Sequence, residues 1–93
     1  MVPSEYYSLW YFSLQRQTIR AVKNADPALG KIISDLRKKA GISQEELAYR
    51  ASIHRTYVSQ LERGLKSPTI AILAKLAKAL NTTPSKIMRL LEE

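Results

Sequence analysis

The chain has 93 residues, 45% of them apolar, and a formal net charge of +7. A chain of this length supports one small domain that buries only about 60 to 65% of its unfolded surface, and the positive balance points to a polyanionic partner. With no cysteine there is neither a disulfide nor a thiolate metal site; no run of 18 apolar residues is present to span a membrane, the N-terminus lacks the marks of a secretory signal, and a cytoplasmic protein is expected.

The charge is uneven. Residues 1–28 contribute +1 and residues 29–93 contribute +6. Residues 1–27 form an aromatic-rich extension: of seven aromatic residues in the chain, five lie between Tyr6 and Phe12. Tyr7, Trp10, Leu14 and Val22 share helical spacing, which predicts a helix from about Ser4 to Val22 ending before a turn at Asp26 and Pro27. Aromatic β-propensity leaves a strand over Tyr6 to Leu14 as the alternative. With only Arg16, Arg20 and Lys23 as cations, the segment suits packing on its own or a partner subunit better than gripping DNA. It is also the candidate surface for a protein partner.

Residues 28–93 read as a chain of short helices. The first is expected from Leu29 to Ala40, with Ile32, Ile33 and Leu36 inward and Gly41 as its stop. Lys38 and Lys39 complement its C-terminal dipole. Ser43 followed by Glu46 is a capping box, in which each side chain reaches a backbone N–H, so a second helix begins at Gln44. Its apolar stripe is Leu47, Ala48 and Ala51. After Ser52 and Ile53 the pattern restarts with Val58 and Leu61 inward, and Gly64 closes a third helix running from about Arg55 to Arg63. Ser67 as N-cap and Pro68 at the first position predict a fourth helix with an inward stripe of Ile70, Leu73, Leu76, Ala77 and Leu80. Thr83 and Pro84 repeat that signal for a fifth, which carries Ile87, Met88, Leu90 and Leu91.

On the third helix, Arg55, Thr56, Ser59, Gln60 and Arg63 fall opposite Val58 and Leu61. These side-chain types match base edges in the major groove, Arg suited to guanine and Gln to adenine. Any solvated surface helix could show the same polar face. Two short helices joined by a sharp turn within the 26 residues from Ser43 to Pro68, a stretch of net positive charge, make DNA reading the stronger interpretation. Side chains cannot read the deep, narrow major groove of A-form RNA, so the partner expected is double-stranded DNA.

From Leu29 to about Leu91 the chain resembles the Cro and phage-repressor, or Xre, type of helix-turn-helix protein. The residues that carry the likeness are LRKKAGISQEELA, then RTYVSQLERG and a following proline. Within that family, HRTYVSQLERG is similar to the controller proteins of restriction-modification systems. The resemblance implies an all-α, five-helix Cro/repressor-like helix-turn-helix domain with an extra N-terminal segment. It also implies roles. Gln44 matches a phosphate-holding position, in keeping with the affinity of a helix N-terminus for anions. Arg55, Thr56, Ser59 and Gln60 match positions that face bases. Tyr57 matches one that reaches a phosphate or a thymine methyl, unless its ring packs beside the second helix. His54, at the N-cap of the reading helix, fits a cap or a phosphate contact, and Arg63 and Lys66 fit further phosphate contacts. Arg37 and Glu62 match a structural salt bridge from the first helix to the end of the third.

Two positions depart from the family pattern. Ser52 stands where glycine is usual in the turn, so either the turn is a variant or a non-glycine residue bears left-handed strain of roughly 1 to 2 kcal/mol. Leu65 stands where Lys or Arg is common, which leaves Lys66 to supply that charge. The apolar content of the fifth helix, with the turn from Asn81 to Ser85, marks a homodimer surface, again where related proteins pair. Two recognition helices about 34 Å apart would then read a palindrome.

Nothing in the pattern suggests an enzyme, a cofactor or a metal. His54 is the single histidine and has no cysteine or carboxylate partner at motif spacing, and only three glycines are present, none in a phosphate loop. The function expected is sequence-specific DNA binding by a transcriptional regulator. The alternative is an antitoxin or other protein-interaction module that uses the same domain for autoregulation.

Overall fold

A computed structural model of the chain describes residues 25–93. The expectations for residues 1–24, helix or strand and where they pack, lie outside the described residues. Among those described are five helices and no strand: α1, whose described part covers 25–39, α2 (Gln44–Ala51), α3 (Arg55–Glu62), α4 (Ile70–Ala79) and α5 (Pro84–Glu92).

One local device ends four of the five helices. In the Schellman motif a residue in left-handed conformation follows the helix, and two N–H groups turn back to the last free carbonyls. After α1, Gly41 N–H bonds Lys38 O and Ile42 N–H bonds Arg37 O; after α2, Ser52 and Ile53 bond Tyr49 O and Ala48 O. Gly64 and Leu65 do the same to Leu61 O and Gln60 O, and Asn81 and Thr82 to Lys78 O and Ala77 O. The left-handed residues are Gly41 (φ 73), Ser52 (φ 54), Gly64 (φ 74) and Asn81 (φ 60). The turn at Ser52 is therefore the ordinary one, built without glycine, and its side chain bears the strain. Repeating this ending keeps the connections short and folds neighbouring helices onto one another.

The core is one cluster that draws on every helix. Ile33, Leu47, Val58, Leu61, Leu76 and Ile87 are its fully buried large side chains, with Leu29, Ala48, Ala51, Leu73, Ala77 and Leu80 completing it. Ile32 and Leu36 pack against it half-buried. Gly30 marks the tightest approach, because a Cβ there would stand 2.3 Å from Leu61 O and 2.7 Å from Glu62 O. Only glycine lets α1 lie so close to the end of α3.

The structure corrects four expectations. Asp26 and Pro27 are helical, so α1 is already formed ahead of Leu29. The fourth helix is capped by Thr69, whose side chain accepts from Ile72 N–H at 3.2 Å, and begins at Ile70. Ser67 and Pro68 belong to the connecting loop. Ile70, at that exposed N-terminus, is 85% exposed and leaves the core stripe. The capping box is half formed: Glu46 N–H donates to Ser43 Oγ at 3.0 Å, but the Glu46 carboxylate takes Arg50 Nε at 2.9 Å instead of the Ser43 N–H. Arg50 stands one helical turn further on, where a Glu followed four residues later by a cation pairs favourably. Thr83 and Pro84 cap α5 as expected.

Candidate nucleic-acid interface

The candidate reading surface is α3 together with the N-terminal end of α2. Val58 and Leu61 are fixed in the core at 0% and 1% exposure. Because a helix turns 100° per residue, burying that pair turns Arg55, Thr56, Ser59, Gln60 and Arg63 to the other side. Arg55, Thr56 and Arg63 are exposed, and Ser59 and Gln60 are half-buried. The ring of Tyr57 is half-buried against the core cluster. His54 occupies the N-cap position, yet its side chain makes no cap bond. It stands exposed at the head of α3, where first-turn N–H groups favour an anion. Lys66 is exposed in the loop after α3, beside Leu65, which is 61% exposed.

A polar knot braces this surface from behind. Arg37 Nε donates to Glu62 Oε2 at 2.7 Å and Arg37 Nη2 to Glu62 Oε1 at 3.0 Å, a bidentate pair with side-chain exposures of 13% and 6%. Arg37 Nη1 also donates to Ile42 O at 3.0 Å, and Gln44 Nε2 to Glu62 Oε1 at 3.1 Å. Burial alone would raise the Glu62 carboxyl. The bonds from Arg37 and Gln44 and the charge of Arg37 outweigh it and hold the group below the ordinary carboxylate value. Arg37 is raised by its bond to Glu62, against the opposing effect of burial. The expected pair of Arg37 and Glu62 is thus in place, joining α1 to the last residue of α3. The bond from Gln44 was not foreseeable, since nothing in the sequence pattern aligns the start of α2 with the end of α3. It occupies one of the two amide N–H donors of Gln44.

No helix among the described residues is long and apolar enough to cross a membrane, and among them no group of His, Cys, Asp and Glu is gathered as a metal site. What the geometry presents is a short helix with a polar outer face, flanked by cations and held by a second helix at a sharp turn. That defines the helix-turn-helix class of DNA-binding domain. The helix-turn-helix family model matches residues 33–87, and the chain belongs to that family.

Control protein C.BamHI of Bacillus amyloliquefaciens is 35% identical over 60 residues, covering 63% of this chain and 74% of the relative. The restriction-modification controller protein C.AhdI from Aeromonas hydrophila superposes with a TM-score of 0.64 at 34% identity, over 66% of this chain and 92% of that one. The controller C.Esp1396I, solved as a tetramer in complex with its natural 35 base-pair operator, gives a TM-score of 0.65 at 30% identity, over 71% and 87% of the two chains. The similarity to restriction-modification controllers expected from HRTYVSQLERG is therefore found in both sequence and structure.

Proposed function

We propose that the protein is a transcriptional regulator that binds double-stranded DNA sequence-specifically, as a homodimer on a palindromic operator. The observation that carries this is the outer face of α3, which offers Arg55, Thr56, Ser59 and Gln60 while Val58 and Leu61 anchor the helix from behind. In this reading α3 lies in the major groove and those four side chains meet base edges. Gln44, His54, Tyr57, Arg63 and Lys66 meet phosphates, which set register and supply most of the salt-dependent affinity. The operator complex of the related C.Esp1396I supports the assignment.

The homodimer surface proposed is α5 with the turn from Asn81 to Ser85. Only Ile87 of α5 is buried, while Met88 and Leu90 are 43% and 42% exposed. A second copy would cover them. Selecting bound sites from random duplexes with the purified protein tests the whole reading. Enriched sites should be inverted repeats with half-site centres about 10 base pairs apart, and affinity should fall steeply with salt. Recovery of unrelated sequences would refute sequence-specific reading, and enrichment of single half-sites would refute the palindromic dimer.

A further inference from the structure

A hollow of about 570 Å³ lies between the C-terminal ends of α2 and α4, lined by Arg50, Ser52, Lys75, Lys78 and Asn81 with two alanines. None of these residues belongs to the reading face. Among the described residues, Ser52 and Asn81 are the two non-glycine residues with positive φ, and both stand in the wall of this one hollow. At the two equivalent helix ends, Gly41 and Gly64 adopt the same conformation without a side chain. Where glycine would relieve strain, the chain instead keeps a hydroxyl and an amide at the hollow.

Arg50 and Lys78 lie in the last turns of α2 and α4, where a cation complements the helix dipole. Lys75 lies a turn earlier and is not explained in that way. The dipoles are also blunted here, because Tyr49 O, Ala48 O, Lys78 O and Ala77 O each accept a backbone N–H. Two helix ends carry about −0.5 charge each at most, and Glu46 offsets Arg50 through a single bond to its Nε. The lining residues include no acid, so the hollow is positive on balance. Arginine, lysine, hydroxyl and amide together are the donor set of a phosphate site.

We propose that this hollow binds a phosphate group, separately from the recognition helix. The group belongs either to a small phosphate ester or to DNA backbone outside the half-site. The test uses the full-length protein labelled with ¹⁵N, titrated with inorganic phosphate at constant ionic strength against a chloride control. Saturable shifts at the amides of Ser52, Lys75, Lys78 and Asn81, weakened at least tenfold in Lys75→Gln/Lys78→Gln, would establish the site and a free phosphate source. A DNA source would instead show as protection of those amides by a selected duplex with added flanking base pairs. Lys75→Gln/Lys78→Gln would then weaken binding of the flanked duplex at least threefold and leave the trimmed duplex unchanged.

Ser52→Gly preserves the left-handed turn, lies outside the proposed homodimer surface and removes only the side chain. Binding of either probe as in the parent protein would reduce the hollow to diffuse charge and overturn the proposal. So would the absence of saturable shifts with both phosphate and the flanked duplex. The free-phosphate arm does not depend on the protein having an operator.

Discussion

Arg37 and Glu62, 25 residues apart in the chain, meet through two parallel hydrogen bonds of 2.7 and 3.0 Å, and this contact fixes the last residue of α3 against α1. The carboxylate also takes Gln44 from the first residue of α2. Three helices are thus tied at one nearly dry carboxylate. By contrast, Arg50 and Glu46 pair in the open, at 47% and 45% side-chain exposure, where a pair one turn apart contributes about 0.3 to 0.5 kcal/mol.

Glu62→Gln should destabilise the fold by about 1 to 3 kcal/mol near neutral pH, because it leaves the part-buried Arg37 guanidinium without its counter-charge. The effect should depend on pH. A carboxyl held below its ordinary value of 4.5 gives its full stabilisation above that value and loses it as pH falls through the lower folded value. Urea unfolding of parent and variant at pH 7 and pH 3 should show the gap closing in acid. An equal gap at both would exclude ionisation of Glu62 as its source.

Ser52→Gly should stabilise the protein by about 1 kcal/mol, by releasing left-handed strain in a side chain that is exposed. For a domain of this size that is a rise in melting temperature of about 4 to 8 °C.

Gly41→Ala and Gly64→Ala should differ, although both glycines have the same backbone conformation. A Cβ at Gly41 meets nothing within 4 Å, whereas one at Gly64 would stand 2.8 Å from Pro27 Cα. The first variant should cost about 1 to 2 kcal/mol from φ alone. The second should cost measurably more in the same denaturant titration, since α1 must shift. Equal losses would show that Pro27 does not press on this loop.

Arg55→Ala should lose about 1 to 3 kcal/mol of operator binding and relax preference at one base position, whereas Lys66→Ala should weaken all sequences alike and lower the salt slope by about one. Gln44→Ala should combine a uniform loss with reduced stability, because its amide also holds Glu62. Binding titrations over several salt concentrations with selected and scrambled duplexes would separate these outcomes.

Met88→Glu should shift the protein toward monomer in sedimentation at micromolar concentration, with little change in unfolding of the monomer, because Met88 is part-exposed on α5. A variant that sediments as the parent does would place the self-association surface elsewhere.

The helical architecture was largely legible because short-range chemistry fixes it. The stripe Leu47, Ala48 and Ala51, the anchors Val58 and Leu61, and the caps at Ser43 and Thr83 all stand where periodicity and side-chain type put them. The errors came where two local solutions competed. Ser67 with Pro68 imitates a helix start, but Thr69 offers a hydroxyl two residues nearer the apolar run. Glu46 had both a backbone N–H and Arg50 within reach, and the charge prevailed. The pair of Arg37 and Glu62 came from family likeness. The bond from Gln44 and the hollow between α2 and α4 depend on how helices far apart in sequence come together, and no local pattern encodes that.

The knot at Glu62 bears on the thermodynamics of association. The ends of α2 and α3 are locked to each other and to α1 before any ligand arrives, so the reading helix need not be shaped by the duplex. Docking should then resemble the meeting of two preformed surfaces, with a heat-capacity change set by contact area alone rather than by coupled folding. Association should be paced by electrostatic encounter rather than by rearrangement of the protein.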